Sequence, residues 1–271
     1  MRRTLALALP PVVAGVVAAA VGACGGTEFV AGSGDGGPTI VDGSTDAPLD
    51  AFGPGAFCTY EAGTHTFCDD FDGAPLADLW PDIEVPTGGS AKDDRSIFVS
   101  SPNAFESMDP RSDLVTAGTT LHARIGRAFA SGSQLVINFE LHLDAVGSKS
   151  TGVGGTTLLL VTYGGNYSIG ISAATDVINV YQDQTQADGG ISEVSSQVAT
   201  TPLVLGTWVK ASLTINLETT TATASVNGTT GTIALAPPKG FAPTVYIGMS
   251  SRAVAVSVEA HYDNVTVDVI Q

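Results

Sequence analysis

Basic residues are scarce: 11 Lys and Arg stand against 27 Asp and Glu in a chain of 271 residues, giving a formal charge of −16. That balance excludes nucleic acid as a partner, because phosphate would meet repulsion where binding needs cations. Aromatic residues are only 7% of the chain and charged residues 14%, so few side chains are available to stack on a ligand. There is no H-E-x-x-H and no G-x-S-x-G, the spacings that mark zinc peptidases and nucleophile-elbow hydrolases. His65, His122, His142 and His261 are scattered without ligand spacing. An acidic surface rich in Gly, Thr and Ser suits an exposed cell-envelope protein, and divalent cations, better than an anionic polymer.

One long apolar run is present, from Leu5 to Val21, behind the basic start Met1-Arg2-Arg3-Thr4. Pro10-Pro11 interrupts it, and crossing a bilayer takes roughly 20 apolar residues, so residues 1–23 read as a signal peptide and not as a span. The run ends in Val21-Gly22-Ala23-Cys24, which resembles the lipobox of bacterial lipoproteins. The resemblance implies acylation of Cys24 and stable anchoring in the cell envelope, at the outer membrane or cell surface.

From Gly25 to about Ala56 the composition is Gly, Asp, Ser, Thr and Pro. Such a stretch cannot bury enough apolar surface to offset the entropy of ordering, so residues 24–56 are a lipidated Cys and flexible linker. The folded part is expected over 57–271. With Cys24 lipidated, Cys58 and Cys68 remain as a pair in an oxidising compartment, and a disulfide is their natural use. A two-Cys metal site would lack further ligands.

Nothing after the leader has a helical period; apolar and polar residues alternate and turn residues recur every ten or so positions. The clearest strand is Gln134 to Asp144, with Leu135, Ile137, Phe139, Leu141 and Leu143 on one face. Thr207 to Leu217 repeats the pattern. Thr221 to Val226 and Thr229 to Leu235 flank Asn227-Gly228, a pair suited to a type I′ hairpin. Further strands are expected over Thr156 to Tyr163, Tyr167 to Ala173, Val177 to Gln182, Ser192 to Thr200 and Thr244 to Ser250. In the last segment the apolar parity changes at Asp263-Asn264, from Val258 and Tyr262 to Val265 and Val267, which predicts a β-bulge. The whole predicts an all-β, two-sheet antiparallel sandwich.

Three places carry a family resemblance: Phe67-Cys68-Asp69-Asp70-Phe71-Asp72 with Leu76 and Trp80; Gly206-Thr207-Trp208 running on to Val226-Asn227-Gly228; and His261-Tyr262-Asp263-Asn264-Val265-Thr266-Val267. Together they resemble the concanavalin A-like lectin/glucanase superfamily, in the jelly-roll form shared with laminin G-like domains. The resemblance implies a buried Trp80 and neighbouring first and last strands. Asp69, Asp70 or Asp72 would then approach Asp263 as oxygen ligands for a structural Ca²⁺. The competing reading of these aspartates is capping of turns and strand ends.

The resemblance also implies glycan contact on a sheet face. The candidates are Asn138, Glu140 and His142 on the polar side of one strand, with Tyr163, Tyr167, Tyr181 and Trp208 as stacking surfaces. The loop from Gln182 to Gly190 could take part. For catalysis, a retaining glycosidase needs two carboxyls about 5 Å apart, whereas Glu140 and Asp144 on one strand stand roughly 13 Å apart. The ExDxxE signature of β-glucanase relatives is absent. The expectation is therefore a non-catalytic glycan-recognition lipoprotein. A structural or adhesive protein-binding module is the alternative, and a divergent polysaccharide-active enzyme a second one.

Overall fold

The computed structural model describes residues 56–61, 63–110, 120–146, 155–174, 177–199, 204–236, 241–252 and 257–271. Cys24, the leader and the linker as far as residue 55 lie outside the described residues.

Among the described residues, fifteen strands and two short helices follow one another as α1 (Ala56–Tyr60), β1 (Phe67–Asp69), α2 (Leu76–Leu79), β2 (Asp82–Glu84), β3 (Ser90–Asp94), β4 (Ala104–Asp109), β5 (Thr120–Ala128), β6 (Gln134–Ala145), β7 (Thr156–Tyr163), β8 (Tyr167–Ala174), β9 (Val177–Thr185), β10 (Ile191–Ala199), β11 (Trp208–Asn216), β12 (Thr221–Val226), β13 (Thr229–Ala234), β14 (Pro243–Arg252) and β15 (Val258–Ile270). They form two antiparallel sheets packed as a sandwich. The first runs β13-β12-β11-β6-β15-β4-β3, with β1 added on β15; the second runs β10-β9-β8-β7-β14-β5-β2. First and last strands are neighbours, Phe67 opposite Val267.

Side-chain alternation decides which face enters the core. In β6, Leu135, Ile137, Phe139, Leu141 and Leu143 are all buried, and Ala211, Leu213 and Ile215 of β11 lie opposite Phe139, Ile137 and Leu135. Each such fully buried aliphatic side chain contributes about 1.5–3 kcal/mol. In β15 the register against β6 slips between Asp263 and Thr266, and Asn264 takes φ 51°. This is the expected bulge: it switches the parity of the apolar core side chains from Val258, Ala260 and Tyr262 to Val265 and Val267. The hairpin at Asn227-Gly228 has φ of 49° and 78°, as a type I′ turn requires.

Trp80 is fully buried, edge-on to Phe67, and its indole N–H donates to Asp69 Oδ2 at 2.6 Å. The disulfide Cys58–Cys68 joins α1 to β1. At one end of the interior the sheets are bridged by polar groups: Met249 N–H donates to Ser107 Oγ at 2.8 Å, and Ser251 Oγ to Asp109 Oδ2 at 2.7 Å.

One boundary moves in a way that bears on function. The expected loop from Gln182 to Gly190 shrinks to a tight turn, closed by Gln186 N–H to Gly190 O at 2.7 Å, and β9 extends to Thr185. Asp183, assigned to the loop by its polarity, sits on a strand.

Candidate functional site

On the outer face of the second sheet, strands β5, β14, β7, β8, β9 and β10 line a cavity of about 350 Å³. Small and hydroxylated residues, among them Ser168, Ser172, Thr157 and Ser250, line it together with His122, Tyr181, Asp183 and Glu193.

Tyr181 and Asp183 point the same way because they are two residues apart on β9. Tyr181 can lie flat across the neighbouring strand only because residue 170 is glycine: a Cβ there would stand 2.9 Å from the Tyr181 hydroxyl. The ring crosses β8, and its hydroxyl meets Thr157 Oγ1 of β7 at 2.9 Å. Burial pushes this phenol well above its ordinary value, so it stays protonated and can donate to a substrate oxygen. His122 Nδ1 lies 2.9 Å from Ser250 Oγ. Burial, helped by the Arg124 guanidinium, lowers its pKa and keeps the ring neutral.

Asp183 lies directly opposite Glu193 in the β9–β10 pairing. Directly opposed residues of an antiparallel pair share a face and have Cβ atoms about 4.5–5.5 Å apart, and two carboxylates so placed repel one another. Two carboxylates brought to one face of a cavity are a candidate acid–base pair.

The residues singled out in the sequence do not converge. Asn138 and Glu140 face a separate depression on the first sheet, shared with Lys210, which lies opposite Glu140. Burial raises the Glu140 pKa, offset by Lys210. His142 and Trp208 are cross-strand partners with ring centroids 5.3 Å apart, at another point on that sheet. Tyr163 is 2% exposed and belongs to the core, which removes it from any ligand surface. Tyr167 is half-buried and accepts a hydrogen bond from Gln184 Nε2 at 3.0 Å. Of the seven candidates only Tyr181 lines the cavity on the second sheet.

Asp70, Asp72 and Asp263 carry the partners of caps. Asp263 accepts from the N–H groups of Val99, Ser100 and Asn264 and from Ser100 Oγ, each at 2.8 Å. Asp70 accepts from Cys58 N–H at 3.1 Å, and Asp72 from Asn103 N–H at 2.8 Å. Sequence reading placed Asp183 in a loop and did not pair it with Glu193, because it compared carboxylates along one strand. The hairpin register across Gln186–Gly190 was the signal that would have found them.

No family model matches the chain, and no curated protein does. Solved structures do. The class they define is the jelly-roll sandwich, consistent with the concanavalin A-like fold inferred from the motifs. An endo-β-1,4-glucuronan lyase from the fungus Trichoderma reesei is similar at 14% identity, over 76% of this chain and 95% of its own, with a TM-score of 0.56. The cellulose induced protein Cip1 is similar at 14% identity, over 74% of this chain and 96% of its own, with a TM-score of 0.53.

The first likeness overturns the expectation of a non-catalytic domain, because the fold of this chain is shared with an endo-β-1,4-glucuronan lyase. That expectation rested on a missing carboxylate motif within a single strand. Cleavage by elimination does not need that motif, and here neighbouring strands bring two carboxylates together without it.

Proposed function

We propose that this chain is an exported, lipid-anchored enzyme of the cell envelope that cleaves polysaccharide in the cavity on its second sheet. The observation that carries the reading is the opposition of Asp183 and Glu193 beside Tyr181 and His122. Hydrolysis with retention needs two carboxyls about 5–5.5 Å apart, a spacing within the reach of directly opposed cross-strand residues. One of the pair, protonated, donates to the glycosidic oxygen as the C1–O bond breaks, and the other forms a bond to C1. Water then hydrolyses that ester, with the first group acting as base. Because the pair is acidic, a neutral or weakly charged glycan is the favoured substrate.

A second reading is favoured by His122 and Tyr181. A neutral imidazole and a protonated phenol in one cavity could remove the proton beside a uronate carboxyl and protonate the leaving oxygen, cleaving the chain by elimination. The likeness to the glucuronan lyase supports considering it. Incubating the protein with neutral glucans and with uronans separates the two. New reducing ends without ultraviolet absorbance mean hydrolysis, absorbing unsaturated ends mean elimination, and intact polymer throughout would sink both.

A further inference from the structure

On the outer face of the first sheet, away from the cavity, His261 of β15 is 2% exposed and stands among carboxylates from three other strands. Its Nδ1 meets Asp144 Oδ2 of β6 at 2.8 Å, and its Nε2 lies 3.3 Å from Asp94 Oδ2 of β3. Glu106 of β4 brings a carboxylate oxygen within 4.8 Å of both His261 and Asp94. A fourth carboxylate, Glu259, feels the charges of Asp144, Glu106 and Asp94. His142 Nδ1 adds a contact to Asp144 at 3.2 Å. Lys92, 3.2 Å from Glu106 Oε2, is the one lysine or arginine bonded to this group among the described residues.

From this geometry we infer a binding site for a first-row divalent metal ion, with zinc as its natural occupant, held by His261 Nε2, Asp94 and Glu106. The two sides of the imidazole do different work. At zinc–ligand bonds of about 2.0–2.1 Å, tetrahedral ligand atoms stand about 3.4 Å apart, and the 3.3 Å between His261 Nε2 and Asp94 Oδ2 matches that spacing. The 2.8 Å on the Nδ1 side is too short for that; it is a hydrogen bond, Nδ1–H donating to Asp144. A carboxylate behind a metal-bound imidazole fixes its tautomer and presents Nε2 to the ion. Asp144 fills that place, and His142 steadies Asp144. Ser96 N–H and Ile97 N–H, each at 3.2 Å, and Ser96 Oγ at 2.6 Å all donate to Asp94 Oδ2 and fix that oxygen in turn. Lys92 is mostly exposed and can swing away from Glu106. An imidazole with two carboxylates suits zinc and its neighbours better than calcium, which takes six to eight oxygens.

The test is calorimetric titration of the tag-free full chain, stripped with chelator, against zinc chloride, with calcium chloride as a control. The expected result is one saturating zinc per chain, no comparable calcium binding, and an X-ray absorption spectrum containing an imidazole nitrogen shell. Asp94→Asn and Glu106→Gln, whose side chains reach the surface and leave the core intact, are expected to weaken zinc at least tenfold. Asp144→Asn, a positioning change, is expected to weaken it by about 10–100-fold while retaining the imidazole shell. Absence of saturable zinc binding, an unchanged affinity in both Asp94→Asn and Glu106→Gln, or a spectrum without imidazole would overturn the assignment.

Discussion

Replacing Asp109 by asparagine should invert its effect on stability between acid and mildly alkaline solution. Asp109 is fully buried; its Oδ2 accepts from Ser251, and its Oδ1 has no hydrogen-bond partner among the described residues. Burial raises its pKa from 3.8 to about 6, although Ser251 and Arg124 pull the other way. Between those two values the folded chain still holds a proton that the unfolded chain has released. Raising the pH through that window therefore weakens the fold, and above about 6 both states are ionised and this slope ends. A difference of about 2 pKa units at 1.36 kcal/mol each is about 3 kcal/mol.

Asparagine carries no titrating proton and can still accept from Ser251, while its amide N–H₂ inherits the unpartnered position at a cost of about 1 kcal/mol. The variant is thus expected to be slightly less stable than the parent at about pH 4 and about 2 kcal/mol more stable at about pH 8. Urea unfolding of both proteins across that range measures the difference directly. Parallel curves, with the same offset at every pH, would refute the reasoning, since Asp109 would then titrate alike in both states.

Other consequences follow from the same structure. The disulfide spans a sequence separation of 10, so replacing Cys58 and Cys68 by serine should cost roughly 3 kcal/mol through loop entropy and lower the melting temperature by about 6–12 °C; calorimetry with and without reductant checks this. Gly228→Ala places a side chain at φ 78° in the β12–β13 turn, and a loss of about 1 kcal/mol in urea unfolding is expected. Tyr181→Phe removes one hydroxyl–hydroxyl contact to Thr157, so stability should fall by only about 1 kcal/mol. Its polysaccharide cleavage should fall much further, by at least about tenfold. Equal losses in folding and activity would mean that the hydroxyl only holds the sheet.

How much of this was readable in advance depended on whether a signal was local. The strands of β6, β11, β12 and β13 announce themselves by alternation, and the bulge at Asp263-Asn264 by a change of parity, because each is a property of consecutive residues. β1 to β5 are harder: β1 and β2 have three residues each, too few for a period, and the faces of β4 and β5 mix Ser107, Asp109, His122 and Arg124 with apolar residues. The helices α1 and α2 have five and four residues and show no helical repeat at all.

The site depends on pairings between strands. Polarity around Gln182 suggested a loop and concealed the strand that carries Asp183, and the partner carboxylate appears only when β10 is laid beside β9. His261 likewise looks isolated until β3, β4 and β6 bring Asp94, Glu106 and Asp144 around it. Conversely, Tyr163 looked available because it is spaced with Tyr167 and Tyr181 around a hairpin, yet here its ring packs into the core.

The most direct test of the account is cleavage of a polysaccharide panel by the purified full chain beside Asp183→Asn and Glu193→Gln, with folding of each verified by melting temperature. The account predicts that the parent depolymerises at least one member and that each substitution, without loss of fold, lowers the rate at least about 100-fold. A parent that cuts nothing, or variants that cut as fast as the parent, would contradict the assignment of this cavity as a catalytic site.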